Sequence, residues 1–157
     1  MPLRGLHSIT LFKEIIMALP NGSGGYQLGD GNLTEIQFQP QATPATVPAG
    51  AATLTAAQLA TKIILGSPGT SAAAYTLPTC ALMDAAFPSV PVNASFDFNI
   101  INVDGSSSGV ITVTTATGWS IGSSGSQGLM TIAATAGTSA AFRARKTGDA
   151  AWSLYRM

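Results

Sequence analysis

The sequence predicts a mainly β protein: a jelly-roll-like β-sandwich with two short helices and an extended N-terminal arm. Three observations lead there. The second half of the chain breaks into short runs of period two, such as Phe96, Phe98 and Ile100 set against Asp97 and Asn99. Gly, Ser and Asp clusters separate these runs at the intervals of a sandwich or barrel. Thr, Ser and Val are abundant throughout, and at that density they suit strands better than helices.

The elements follow in order. Residues 1–21 hold at most a short amphipathic helix, with Leu11, Ile15 and Leu19 four apart and Pro20-Asn21-Gly22 as its stop. Lys13-Glu14 can be encoded by AAG-GAG, a bacterial ribosome-binding sequence, shortly ahead of Met17. The expectation is therefore that translation naturally begins at Met17. Residues 22–52 read as an extended arm. Gly22-Ser23-Gly24-Gly25 opens it, Gly29-Asp30-Gly31-Asn32 turns it, and Ile36 and Phe38 alternate with polar neighbours. Pro40, Pro44 and Pro48 then keep it extended, because proline fixes φ and donates no backbone hydrogen bond. The arm has too few large apolar residues to fold alone.

Residues 53–157 read as the compact domain. Thr55 caps a helix over Ala56–Ile64 that Gly66 ends, and Thr79 caps a second over Cys80–Phe87 that Pro88 ends. Ala74–Pro78 is a strand between them. After the second helix the pattern is all β: Ser95–Val103, Val110–Thr115, Trp119–Ile121, Gly128–Ala133, Ser139–Lys146 and Trp152–Arg156.

Composition narrows the function. Only 9% of the residues are charged, against about 25% in ordinary soluble domains. Such a surface has little electrostatic defence against association, which suits a protein buried in an assembly. Net charge is zero, so no field steers a polyanion and nucleic acid is not expected as a partner. No 18-residue apolar run predicts a membrane span, and Lys13 and Glu14 interrupt the N-terminal apolar run that a signal peptide would need.

The residues also disfavour catalysis, metal sites and cofactors. His7 is the only histidine and lies far from any strand-end serine, so a Ser-His-Asp site is not expected. Cys80, the single cysteine, reads as a small buried apolar residue. Of the domain's carboxylates, Asp104 and Asp149 read as turn residues, and Asp97 should face away from Phe96 and Phe98. Asp84 is the fourth. Gly22–Tyr26 lacks the Gly-Lys-Ser/Thr of a phosphate loop. Trp119 and Trp152 read as core or interface anchors. Arg143 and Arg145 share one face of a strand, with Lys146 beside them.

A family resemblance rests on the order of several motifs. These are Ala52–Leu59, Tyr75-Thr76-Leu77-Pro78-Thr79, Ser95–Asn102, Thr138–Arg145 and the closing Trp152-Ser153-Leu154-Tyr155-Arg156, behind the glycine-rich opening Gly22–Asn32. Together they resemble the capsid decoration (cement) and head-fibre proteins of tailed bacteriophages, over residues 22–157; residues 1–16 have no counterpart there. The resemblance implies a homotrimer on the capsid exterior at three-fold positions, bound to the major capsid protein. It implies that the arm anchors the protein, with Tyr26, Leu28, Asp30, Asn32, Leu33, Ile36 and Phe38 as its contacts. Arg143, Arg145 and Trp152 are then the expected trimer or capsid contacts of the body. The alternative within this reading is a head fibre or adhesin whose outer face binds host-surface glycans.

Overall fold

A computed structural model describes residues 40–104, 109–121 and 130–157. The N-terminal helix, the Met17 start, His7 and the arm residues Tyr26, Leu28, Asp30, Asn32, Leu33, Ile36 and Phe38 lie outside the described residues. The compact body is Gln41–Met157.

The body is mainly β, with its strands in two sheets. In chain order the elements are β1 (Ala45–Val47), β2 (Ala52–Thr53), α1 (Ala56–Ala60), β3 (Ile63–Gly66), β4 (Ala73–Thr76) and α2 (Cys80–Ala86). They continue with β5 (Ser95–Asn102), β6 (Ile111–Thr114), β7 (Trp119–Ser120), β8 (Thr131–Ile132), β9 (Ser139–Gly148) and β10 (Ala151–Arg156). One sheet has six strands in the order β1-β3-β5-β9-β10-β7, and the other has four in the order β2-β4-β6-β8.

The pairing departs from a jelly roll, whose sheets are antiparallel. From β1 to β6 the chain alternates between the sheets, so β1, β3 and β5 stack in parallel in one and β2, β4 and β6 in the other. The first half is thus wound as stacked coils. The second half is antiparallel where it matters most: β9 pairs with β5, and β10 with β9. The final hairpin slots between β5 and the short edge strand β7.

The body begins earlier than the 53–157 boundary read from composition. Ala45–Val47 and Ala52–Thr53 form the first coil, and Val47 and Leu54 are 1% exposed. The prolines there guard an edge. Ser67 N–H donates to the Val47 carbonyl, so Val47 faces β3. Successive peptide groups point to opposite sides of a strand, which puts the nitrogens of Pro44, Thr46 and Pro48 on the open side. Two of those three have no N–H to offer another strand.

Both helix starts are as expected. Thr55 Oγ1 accepts from Gln58 N–H while Gln58 Oε1 accepts from Thr55 N–H, a capping box. Thr79 accepts from Leu82 N–H. The first helix is shorter than Ala56–Ile64, however. Lys62 takes a left-handed φ of 64°, which a helix cannot contain, and Ile63, Ile64 and Leu65 run on as a strand. Gly66 is no helix stop. It sits inside β3 where a Cβ would lie 2.6 Å from the Tyr75 ring and 2.8 Å from Ile111 Cδ1.

The core lies between the sheets and under the helices. Tyr75, Phe98, Phe142, Leu59, Leu77, Met83 and Ile111 are among its wholly buried side chains, each at 0% exposure. Phe98 stacks on Phe142 at 5.5 Å, and Phe96 links that pair to Trp152 and Phe87 at 6.1 Å. Buried Asn102 is fully bonded: Nδ2 donates to the carbonyls of Gly109 and Ala133, and Oδ1 accepts from Asp104 N–H.

Candidate functional site

Strand alternation builds one broad surface, the outer face of the six-stranded sheet. On β5 the even residues Phe98, Ile100 and Asn102 point inward and the odd ones outward; β9 likewise buries Phe142, Ala144 and Lys146. Register then sets the outer residues in rows. Thr46, Leu65, Ile101 and Ser139 form the first, and Ile63, Asn99 and Ala141 the second. Asp97, Arg143 and Tyr155 form the third. Ser95, Arg145, Ser153 and Ser120 form the fourth, where the two serine hydroxyls Ser120 and Ser153 meet at 2.9 Å.

The face is divided by chemistry. At one end Ile63, Leu65 and Ile101 are half-buried, and Val103 beyond them is 45% exposed. In the middle Arg143 grips Asp97 in a two-pronged pair, Nε to Oδ1 at 2.6 Å and Nη2 to Oδ2 at 2.7 Å. The Arg143 hydrogen bond holds the Asp97 carboxyl below the usual range, and Asp97 in turn pushes Arg143 up. Arg145 donates to Asn93 Oδ1. Asn93 has a φ of 74°, a left-handed turn position that asparagine tolerates.

Arg143 and Arg145 therefore stand together on the outer face, as their spacing implies. Trp152 does not join them. It is 1% exposed and belongs to the core, a correction to its expected role as a contact. Its ring packs on Phe96 and Trp119, and its Nε1 donates to Asp84 Oδ1 at 2.8 Å. Residues that motif reading passed over complete the face: Ile63, Leu65, Ile101, Ala141 and Tyr155. The odd-even pattern of Ile63 and Leu65 was the available signal, masked by their fit to a helix begun at Ala56.

Asp84, Lys146 and Cys80 serve the fold. Asp84 takes Trp152 Nε1, the Ala150 amide at 2.7 Å and the Lys146 ammonium at 3.2 Å. Partial burial pushes its carboxyl up, but these donors outweigh burial and hold it below the usual range. Burial pushes the Cys80 thiol up to about 11, so it stays protonated and unreactive at neutral pH. Among the described residues no three His, Cys, Asp or Glu side chains group as a metal site, and no helix is long and apolar enough to cross a membrane.

Comparison of the chain with family models, curated proteins and solved structures returns no match.

Proposed function

We propose that this chain is a structural interaction protein, not a catalyst. More particularly, we propose a capsid decoration (cement) protein of a tailed bacteriophage, bound as a homotrimer to the outside of the head and stabilising contacts between major capsid subunits. One observation carries the reading beyond resemblance: the outer face of the six-stranded sheet. Purely parallel sheets are ordinarily covered on both faces. Here the parallel part, β1-β3-β5, leaves Ile63, Leu65 and Ile101 only half-buried, with Val103 exposed at its end. Monomers rarely leave such apolar ground contiguous. The adjacent edge is blunted by Pro44 and Pro48, so the face, not the edge, is the surface that favours a partner.

The test is sedimentation of the purified protein with capsid shells that lack it. Co-pelleting at saturable stoichiometry, together with a trimeric mass by light scattering, is the expected result. A clean monomer at micromolar concentration that stays in the supernatant would overturn the proposal.

A further inference from the structure

A separate surface cavity of about 240 Å³ is lined by Ala60, Lys62, Phe87, Val90, Phe96 and Trp152. Its walls come from the end of α1, the end of α2 and the inner edge of β5. Among the described lining residues all but Lys62 are apolar, and Lys62 is exposed.

Two facts single out Lys62. Its φ of 64° lies in the left-handed region, where a Cβ is disfavoured and glycine or asparagine is the ordinary choice. Its ammonium also has no ion-pair partner among the described residues. Arg143 pairs with Asp97 and Lys146 with Asp84, while Arg145 and Arg156 are held by Asn93 and the Thr131 carbonyl. Lys62 acts on Asp97 through charge alone, without an ion-pair contact, while Arg143 makes the two-pronged pair. A lysine thus occupies a backbone position that suits it poorly, and its exposed ammonium stands at the cavity without an ion pair among the described residues.

We propose that this cavity binds a partner-protein segment that presents one large apolar side chain next to a carboxylate. The apolar group enters the cavity lined by Phe87, Val90, Phe96 and Trp152, and the carboxylate pairs with Lys62. Size supports one such group: a dry apolar cavity of roughly 150 Å³ holds benzene, so this volume takes a phenylalanine or leucine side chain with its Cβ. Aromatic walls favour an aromatic guest in tilted or edge contact. The inference does not depend on the partner being a capsid protein.

The test uses the full chain, isotope-labelled, titrated with three acetylated and amidated tetrapeptides: Ala-Asp-Phe-Ala, Ala-Asn-Phe-Ala and Ala-Asp-Ala-Ala. The first should shift the Trp152 Nε1–H resonance and bind about threefold to fivefold more tightly than the second, the range of a rim ion pair. The third should leave that resonance in place. Lys62→Gly should abolish the preference for aspartate while raising Tm, because it frees the backbone, and Lys62→Met should abolish the preference too. Equal binding of the first two peptides, an unmoved Trp152 resonance, or a preference that survives Lys62→Gly would each overturn the proposal.

Discussion

Two ion pairs lie on one strand, three residues apart, and they do different work. Lys146 points inward from β9 and meets Asp84 at 3.2 Å, the side chains 9% and 21% exposed. Arg143 points outward and meets Asp97 at 2.6 Å, the side chains 48% and 43% exposed. The outer pair has the better geometry, yet water competes for both its partners. The inner pair is longer but is tied to the Trp152 indole and to the Ala150 amide at the β9–β10 turn, where Ala150 has a φ of 48°. Short distance is therefore a poor guide to what holds the fold. Burial and shared hydrogen bonds decide it, and they leave the outer pair available for contact with another surface.

The largest expected effect comes from the inner pair. Asp84→Ala strands the Lys146 ammonium and the Trp152 N–H in a mostly buried site and should cost about 3 kcal/mol, read from urea denaturation. A loss below about 0.5 kcal/mol, the usual size of a neutral surface change, would erase the distinction between the pairs. A second contrast sits one residue apart on β3. Gly66→Ala drives a methyl into Tyr75 and Ile111 and should cost about 1–3 kcal/mol. Leu65→Ser on the outer face should change stability far less but weaken self-association in light scattering.

Acid sharpens the same comparison. Asp84 and Asp97 both have lowered folded pKa values, so each contributes stability above its unfolded value and loses it as pH falls through the folded one. Stability should decline below about pH 4, the unfolded carboxylate value. Asp84→Asn should flatten that decline in an acid titration followed by Trp fluorescence, whereas Asp97→Asn should leave most of it. The smallest effect on folding belongs to Arg143→Gln, whose Tm should match the parent while the proposed self-association needs a higher protein concentration in light scattering.

Much of this body is legible in the sequence. Period-two runs locate β5, β6, β9 and β10, because a half-buried strand must alternate. Thr55 and Thr79 mark both helix starts, since a hydroxyl there satisfies amides that the helix leaves open. The outward placement of Asp97, Arg143 and Arg145 follows from the same alternation. The coil is not legible. Whether β3 pairs in parallel with β5 depends on contacts far apart in the chain, to which local pattern is blind. Ile63–Leu65 fit a helix equally well until Lys62 turns left-handed. Trp152 was ambiguous for a related reason: a large amphipathic ring suits a core or an interface, and only the Asp84 acceptor opposite its Nε1 decides for the core.

Cryo-electron microscopy of virions would show whether this chain sits on a phage head. For the proposed capsid role, density for residues 41–157 is expected on the outside of the head, in groups of three, with the face carrying Ile63, Leu65, Ile101 and Arg143 turned toward the shell or a neighbouring copy. A head without this chain, or one that carries it with that face turned to solvent, would rule out the proposed capsid contact.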